Sequence, residues 1–359
     1  MTKASLQQDT ESLLDWYDKN RRVLPWREDP TPYHIWVSEI MLQQTRVDAV
    51  IPYYLRFMEI LPDVTSLAEA DEETYLKLWE GLGYYSRVRN MHKAAVQVME
   101  EFGGQIPSTV EELQSLSGIG RYTAEAIASI AFGIPVPSVD GNLLRVFSRR
   151  ECYPENIKSS EALKAAESFY AERISSRRPG DYNQAVMDLG ATICLPNGAP
   201  LCEQCPWSGL CTSHAKGNEI QYPVLPPKKK RVVSKHTVLL FRTTGRVILE
   251  HRSDDGLLSG LIGFPMMDGH LRAEDILLLL SEHHIPAVSA AMIKEYKHVF
   301  SHREWLNRII EIRLSDHDLD VLRSTDLFKE TELICAEIPE LQDRYSIPTA
   351  FRPCAEHLL

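Results

Sequence analysis

Four of the chain's seven cysteines lie close together, at Cys194, Cys202, Cys205 and Cys211, and the other three are scattered. Four thiolates at this spacing can converge on one inorganic centre, either a tetrahedral zinc ion or an iron–sulfur cluster. A disulfide pair or inert buried thiols are the alternative. They are disfavoured because the polar start of the chain does not resemble an export signal, so we expect a cytoplasmic, reducing environment. Spacing alone leaves zinc and iron–sulfur equally supported.

A glycine-containing turn and two carboxylates are further candidates for chemistry. Gly118 and Gly120 separate two helical patterns and can present backbone N–H groups to a phosphate, although an ordinary helix connection has the same pattern. Asp140 begins a later helix, where the helix dipole favours an ionised carboxylate; a plain N-cap is the alternative. Glu39 lies in the apolar segment 35–44, where burial would raise its pKa. The pattern alone favours an exposed glutamate on an amphipathic helix.

These residues need elements to hold them, and the first part of the chain has helical periodicity. Apolar residues recur at spacings of three and four over 7–20, 32–44, 46–60, 71–79, 87–102, 109–116, 121–132, 141–150, 159–173 and 181–192. Ser108 with Glu111 predicts a capping box before one of these helices. We therefore expect an all-α first domain over residues 1–221.

The segment 222–232 is rich in proline and lysine and predicts an extended linker. The period then changes. Strands are predicted at 236–242, 247–252 and 306–314, and a helix at 272–284. Residues 233–359 are therefore expected to form an α+β domain, which makes the protein multidomain.

The composition is that of a globular protein with room for two domains: 359 residues, 44% hydrophobic and 25% charged. No apolar run predicts a membrane span. The net charge of −11 excludes a protein that is basic throughout, so a DNA-binding face would need a local cluster of arginines. The candidates are Arg21, Arg22, Arg87, Arg89, Arg145, Arg149 and Arg150.

The glycine-containing turn, the aspartate after it and the cysteine segment together resemble the helix-hairpin-helix DNA glycosylase superfamily, in its iron–sulfur branch. The resemblance is closest to the MutY-type adenine glycosylases, and it follows the chain in order through both domains. The segments that carry it are 24–27 (LPWR), 36–47 (WVSEIMLQQTRV), 79–90 (WEGLGYYSRVRN), 116–142, 194–211 and 298–302 (HVFSH).

The resemblance implies a [4Fe–4S] cluster at the four cysteines rather than zinc. Seven residues separate Cys194 from Cys202, where the family usually has six. A loop that contains Gly198 and two prolines can absorb one extra residue. We expect the cluster to be structural, because hydrolysis of an N-glycosidic bond needs no electrons.

The resemblance also implies roles in catalysis. Glu39 would protonate adenine at N7, and Asp140 would stabilise or attack the sugar cation. Tyr122 and Asn142 would orient Asp140. The bifunctional lyases of the superfamily have a lysine at the position of Tyr122, so we expect a monofunctional glycosylase that removes adenine mispaired with 8-oxoguanine or guanine.

Contacts with double-stranded DNA are implied in three places. The extruded adenine would lie in a pocket lined by Trp26, Arg27, Leu42 and Gln184. The duplex would contact or be wedged by Gln43, Gln44, Thr45, Leu82, Tyr84, Gly118 and Gly120. In the second domain, which resembles a Nudix domain, 8-oxoguanine would be recognised by Phe300, Ser301 and His302.

The second domain departs from its family in two respects. Ile262 and Gly263 stand where the family usually has Trp and Glu in Leu-Trp-Glu-Phe-Pro, and the acidic metal-binding cluster of Nudix hydrolases is missing. We therefore expect lesion recognition without nucleotide hydrolysis.

Two alternative functions stay open, and we expect a monomer in each case. A mismatch-specific thymine or uracil DNA glycosylase would act on G:T pairs. A non-enzymatic iron–sulfur DNA-binding protein would keep the fold without the chemistry, and the presence of both Glu39 and Asp140 argues against it.

Overall fold

The computed structural model describes residues 3–227, 230–253, 256–324, 326–328 and 331–359. Lys228 and Lys229 of the predicted linker lie outside the described residues. The chain divides into two compact units. The first comprises Met1–Ala70 and Ser86–Pro227, and the second comprises Asp71–Tyr85 and Lys228–Leu359. The segment Asp71–Tyr85 therefore packs with the second unit, although it precedes the linker and was assigned to the helical domain from the sequence.

Helices are the regular secondary structure of the first unit's described residues, as predicted, and no strand occurs among them. Its helices are α1 (Lys3–Asn20), α2 (Pro25–Glu28), α3 (Pro32–Leu42), α4 (Val47–Ile60), α5 (Val64–Glu69), α7 (Ser86–Glu101), α8 (Val110–Ser115), α9 (Arg121–Phe132), α10 (Gly141–Glu151), α11 (Ser160–Ala171), α12 (Pro179–Thr192) and α13 (Thr212–Lys216). Helix α6 (Glu72–Trp79) belongs to the second unit.

Local chemistry explains where the central helices begin and end. Thr31 caps α3 by accepting a hydrogen bond from the His34 N–H, and Pro32 occupies the first helical position. Helix α9 ends at Gly133, which adopts the left-handed conformation that glycine tolerates best. Helices α3 and α9 pack against each other, as do α10 and α12. The second pair buries a core that includes Leu143, Val186 and Leu189.

The predicted capping box is displaced by one residue. Thr109 rather than Ser108 caps α8: its hydroxyl accepts from the Glu112 N–H at 3.2 Å and donates to the Glu112 carboxylate at 2.8 Å. Both Ser108–Glu111 and Thr109–Glu112 have the required spacing. The prediction was wrong because two overlapping pairs satisfy one pattern, and the structure uses the second.

The second unit contains one mixed sheet. Its strands are β1 (Val232–Arg242), β2 (Arg246–His251), β3 (Ile262–Gly263), β4 (Met266–Asp268), β5 (Ser289–Val299), β6 (Arg303–Arg313) and β7 (Glu332–Glu337). The order is β3-β2-β1-β6-β5, with β4 beside β1 and β7 beside β2. Strands β1 and β6 are parallel, from Val232 opposite Arg303 to Arg242 opposite Arg313, and the other pairs are antiparallel.

Both faces of this sheet are covered. One face packs on α14 (Ala273–Glu282) and α15 (Asp316–Ser324) through Ile276, Leu280, Leu319 and Leu322. The other packs on α16 (Glu340–Asp343) and α17 (Arg352–Leu358) through residues such as Leu341, Cys354 and Leu358. The predicted fold class, an all-α domain followed by a domain of strands and helices, is confirmed. No helix within the described ranges has the length and hydropathy to span a bilayer.

Candidate functional site

Glu39 is buried near the end of α3, and only 7% of it is exposed. The Tyr122 hydroxyl, from the first turn of α9, donates a 2.7 Å hydrogen bond to Glu39 Oε2. The pKa of Glu39 is raised to about 7, chiefly by burial; the hydrogen bond from Tyr122 and the charge of the Arg27 guanidinium lower it, and the nearby Asp140 carboxylate raises it. A carboxyl group with such a pKa is half protonated near neutral pH and can act as a general acid.

Asp140 is the N-cap of α10. Its Oδ1 accepts from the N–H groups of Asn142 and Leu143, each at 2.8 Å, and its Oδ2 accepts from Asn142 Nδ2 at 2.7 Å. Burial raises the pKa of Asp140, and these donors lower it. All three donated hydrogen bonds favour the ionised carboxylate. Two carboxyl groups of the same unit therefore have contrasting environments.

Arg145 connects the Asp140 cap to the cysteine segment. Its Nη2 donates to Asn142 Oδ1 at 2.9 Å and to the Gly190 carbonyl at 2.6 Å, and its Nε donates to the Cys194 carbonyl at 2.8 Å. Gly190 allows this approach, because a Cβ there would lie 2.6 Å from the Asn142 Cβ. Neither the connecting contacts of Arg145 nor the close packing at Gly190 was predicted from the sequence. The only available signal was a glycine within a helical pattern, which often marks close packing.

The four predicted metal-binding cysteines line one open cavity of about 420 Å³. Its walls also include the apolar side chains of Val146, Leu189, Ile193 and Trp207. Burial raises the pKa of Cys202 to about 11 and that of Cys205 to about 12, so these thiols would ionise at neutral pH only when a cation binds them. Four converging sulfur donors within apolar walls fit a thiolate-bound metal centre.

Two arginines at this cavity are buried. Arg149 is 4% exposed and Arg150 is 2% exposed. Arg149 Nη1 donates to Cys194 Sγ at 3.3 Å and to the Leu195 carbonyl at 2.8 Å. The prediction that they belong to a DNA-binding face is therefore wrong for these two residues, because periodicity and charge do not reveal which arginines have buried acceptors.

The predicted phosphate-binding hairpin joins α8 to α9. Gly118 has a φ of +75°, and a Cβ there would lie 2.6 Å from the Asn90 Cβ. Gly120 is the N-cap of α9, and nothing lies within 4 Å of its Cβ position. The first glycine is thus required by backbone conformation and packing, and the second leaves open space beside the N-terminus of α9.

The predicted duplex contacts Gln43, Gln44 and Thr45 form the turn after α3. Gln44 has a φ of +59°, and the Gln43 side chain donates to the Thr123 hydroxyl at 3.3 Å. Arg87 Nη1 donates to the carbonyls of Ile40, Met41 and Gln43 at 2.7–3.0 Å, which holds the turn against the end of α3.

The predicted adenine pocket draws on three helices of the first unit. Trp26, on α2, is 3% exposed and packs edge-on against Tyr54 at 5.3 Å. Arg27, its neighbour, bonds to Asp188 on α12. Leu42 lies at the end of α3, and Gln184 lies one turn before Asp188. Leu42 and Gln184 are half-buried.

The predicted lesion-recognition residues occupy the β5–β6 turn of the second unit. Phe300 packs on His298 at 4.6 Å and on Trp305 at 4.8 Å, and its N–H donates to the Arg303 carbonyl at 2.8 Å. Ser301 and His302 are exposed. Within the same unit the Ser301 hydroxyl is hydrogen-bonded to the Tyr84 hydroxyl, and Tyr84 itself has a φ of +50°. Leu82 is 8% exposed. Phe300, Ser301 and Tyr84 are thus brought together.

The departure at Gly263 has a packing explanation, whereas nothing in the structure explains the departure at Ile262. A Cβ at Gly263 would lie 2.6 Å from Phe351 Cε2. Phe351 is fully buried and packs against Phe264, so its ring cannot yield easily. The glutamate usual in the family would therefore collide with this chain's own core.

Comparison with known proteins matches both units. Residues 37–172 match the HhH-GPD superfamily of base excision DNA repair proteins, and residues 236–357 match the NUDIX domain. The adenine DNA glycosylase of Rattus norvegicus is 45% identical over 224 residues, which cover 60% of this chain and 43% of that protein. The adenine DNA glycosylase of Buchnera aphidicola subsp. Baizongia pistaciae (strain Bp) is 35% identical over 298 residues, which cover 81% and 82%.

Among solved structures, a thermostable thymine-DNA glycosylase is similar with a TM-score of 0.53 and 27% identity, over 58% of this chain and 95% of that chain. The chain spans less than half the length of the rat relative it matches and most of the length of the Buchnera relative. Because the Buchnera relative is 35% identical over most of the length of both proteins, the chain belongs to the MutY-type adenine DNA glycosylase family.

Proposed function

We propose that this protein is a monofunctional adenine DNA glycosylase that removes adenine paired with 8-oxoguanine and, more slowly, with guanine. One observation carries the proposal: a buried Glu39 with a pKa of about 7 shares its unit with an Asp140 that accepts three N–H hydrogen bonds. Such a pair supplies one proton donor and one anion. The adenine DNA glycosylases to which the chain is similar support the choice of base.

In this proposal Glu39 donates its proton to adenine N7. The C1′–N9 bond then breaks, and its electron pair leaves with the base, so positive charge develops at C1′. The Asp140 carboxylate stabilises that charge or bonds to C1′. Water finally adds at C1′, displacing the Asp140 carboxylate where that bond has formed, and passes a proton to Glu39, which restores it. Asn142 holds Asp140 in place through its 2.7 Å hydrogen bond.

The release step should be monofunctional because the group facing Glu39 is the Tyr122 phenol. Burial raises the pKa of Tyr122 well above its ordinary value, so it remains a neutral hydrogen-bond donor. A phenol cannot form the Schiff base through which amine-bearing glycosylases break the strand.

The substrate is proposed to be double-stranded DNA read by both units, with the protein acting as a monomer. Gly120 and the turn Gln43–Thr45 would contact the duplex near the adenine. Phe300, Ser301 and His302 would contact 8-oxoguanine, with Phe300 already ordered by its packing on Trp305. Stacking of an aromatic ring or wedge beside an unstacked base step is a common means of holding distorted DNA.

The four cysteines are proposed to hold a [4Fe–4S] cluster. The cluster would supply a rigid cross-link of the cysteine loop to α10 and α12, and it would take no part in base release. Cys202, His214 and Glu219 also bring their ligand atoms within 4.8 Å of one another, a set that could hold zinc instead. Iron, acid-labile sulfide and zinc analysis of the purified protein decides between these centres: about four irons and four sulfides per chain is the expected result, and one zinc without sulfide would contradict it.

The first experiment is single-turnover base release from duplexes that contain 8-oxoguanine:A, G:A or G:T, with mild and alkaline work-up. Fast release opposite 8-oxoguanine with strand breaks only after alkali is expected. Equal rates on 8-oxoguanine:A and G:A would remove lesion recognition from the proposal. Activity on G:T alone would favour the thymine glycosylase alternative, which the likeness to a thymine-DNA glycosylase structure keeps open. No release from any duplex would favour the binding-protein alternative.

A further inference from the structure

Asp188 is a buried carboxylate that the proposed reaction does not use. It lies on α12, and its side chain is 1% exposed. Arg27 binds it through both terminal nitrogens, Nη1 to Oδ2 at 2.7 Å and Nη2 to Oδ1 at 3.0 Å. Arg22 binds it through Nε to Oδ1 at 2.6 Å and through its backbone N–H to Oδ2 at 3.2 Å. One carboxylate therefore holds two guanidinium groups, that of Arg22 from the segment between α1 and α2 and that of Arg27 from α2.

Both terminal nitrogens of Arg27 are thus engaged, and its Nη1 also donates to the Arg22 carbonyl at 3.3 Å. Its Nε is buried and has no hydrogen-bond partner among the described residues. Because Asp188 occupies the two terminal nitrogens, the guanidinium plane cannot rotate, and the direction of the Nε–H is set. The Tyr17 ring limits Arg27 further, with the guanidinium 5.7 Å from the ring centroid.

Arg27 also acts electrostatically on Glu39. Three charged or titratable groups face Glu39: Tyr122 from α9, Asp140 at the start of α10 and Arg27 from α2. Arg27 is the cation in this set, and its charge is balanced by Asp188, which is shared with Arg22. The net charge of Asp188, Arg22 and Arg27 therefore affects how easily Glu39 ionises, because Arg27 is the member of this cluster that faces Glu39.

We propose that Asp188 and Arg22 are positioning residues for base release: together they orient Arg27 in the base pocket and set the positive charge that acts on Glu39. The inference rests on the proposed function, because it assigns Glu39 as the proton donor. It adds two residues that do not belong to the adenine pocket predicted from the sequence.

Opposite changes of charge in this cluster should shift the pKa of Glu39 in opposite directions. Asp188→Asn removes the anion, so the net positive charge beside Glu39 rises and its protonated form is disfavoured. Arg22→Gln removes one cation, so Asp188 offsets more of the Arg27 charge and protonated Glu39 is favoured. Because only protonated Glu39 is active, the alkaline limb of the pH–rate profile should move to lower pH in the first variant and to higher pH in the second.

The experiment is single-turnover release of adenine at saturating enzyme across pH 5–9, with Asp181→Asn as the matched control. Asp181 lies on the same helix and accepts a 2.7 Å hydrogen bond from Arg178, but its side chain is partly exposed and pairs with Arg178 rather than with Arg22 or Arg27. Limb shifts on the order of half a pH unit, opposite in sign for Asp188→Asn and Arg22→Gln, are expected. Asp181→Asn should superimpose on the parent protein.

Limbs that stay in place in both variants, or that move in the same direction, would overturn the inference, since lost packing alone changes the rate without a signed shift. If Asp188→Asn fails to fold, Arg22→Gln still decides, because Arg22 is partly exposed and its loss leaves the Arg27–Asp188 pair intact. If the parent protein releases no adenine, the proposed function has failed and the inference fails with it.

Discussion

At the scale of single residues, the site depends on contrasting environments for two carboxyl groups. Glu39 has one hydrogen-bond donor and an apolar helix around it, whereas Asp140 has three N–H donors at a helix start. Burial raises the pKa of both groups; one donor opposes this at Glu39, and three donors oppose it at Asp140. The sequence patterns at these positions, a glutamate in an apolar run and an aspartate before Gly141, did not by themselves distinguish active groups from ordinary ones.

We expect Glu39→Gln and Asp140→Asn each to lower the rate of adenine release by about 100-fold or more, because each removes one member of the acid and anion pair. Single-turnover rates at saturating enzyme measure the effect. DNA binding measured in parallel should change little for Glu39→Gln, since glutamine can still accept the Tyr122 hydrogen bond. Full activity in either variant would contradict the assignment.

The pH dependence follows from the sign of the Glu39 shift. Its pKa is raised from 4.5 to about 7, and the protonated form is the active one. Release should therefore be fast below pH 7 and should fall as the pH rises through about 7. A pH–rate profile of the parent protein checks this, and a rate that keeps rising to pH 9 would assign the proton donor elsewhere.

Glu39 should also cost stability at high pH. The unfolded chain ionises this group at its ordinary pKa, while the folded protein holds the proton to about pH 7, so its contribution to folding becomes less favourable between those values. At pH 8 we expect Glu39→Gln to be more stable than the parent protein, by at most about 3 kcal/mol. Denaturant unfolding at pH 8 and pH 4 measures the difference, which should nearly vanish at pH 4.

At the scale of elements, α1 holds the cysteine loop through a buried charge cluster. Asp9 is 1% exposed; it binds Arg150 at 2.5–2.9 Å and Arg173 at 3.2 Å. The Trp207 indole, between Cys205 and Cys211, donates to the Asp9 carbonyl at 3.1 Å, and the Arg150 guanidinium lies 4.3 Å from the Trp207 ring centroid. The first helix is thus bonded to the loop that carries the cysteines proposed to bind the cluster.

Asp9→Asn should loosen that loop, because it leaves two buried cations without their anion at a cost of about 3–5 kcal/mol. We expect faster release of iron to a chelator, measured by loss of visible absorbance well below the unfolding temperature. Asp18→Asn is the matched control: the residue lies on the same helix and also pairs with an arginine, Arg178, but on the surface. Equal iron release from the two variants would show that α1 does not hold the loop.

At the scale of the whole molecule, each unit has its own hydrophobic core. A core substitution should therefore destabilise the unit that contains it before it affects the other. The second unit shows this at Gly263, which packs against Phe351. The glycine at position 263 therefore fits the packing of this core, where a larger residue would collide with Phe351. The departure at Gly263 has a physical reason that the sequence did not show.

Gly263→Ala should destabilise the second unit by about 1–3 kcal/mol, since its methyl group collides with a buried ring. Phe351→Leu introduced together with it should recover part of the loss, although the smaller side chain alone leaves a cavity. Thermal unfolding of the two single variants and the double variant measures this coupling. Strict additivity of the two effects would show that the residues do not compete for the same space.

The sequence by itself determined the helices of the first unit, the change of period after residue 232 and the four clustered cysteines, because periodicity, turn residues and ligand spacing are local properties. It also placed Glu39 and Asp140 as candidates, through the family resemblance. Only the tertiary structure decided that Tyr122 faces Glu39, that Asp188 binds two arginines 161 and 166 residues away in sequence, and that Arg149 and Arg150 are buried. Those outcomes depend on which distant segments share a low-dielectric interior, and no local pattern encodes that.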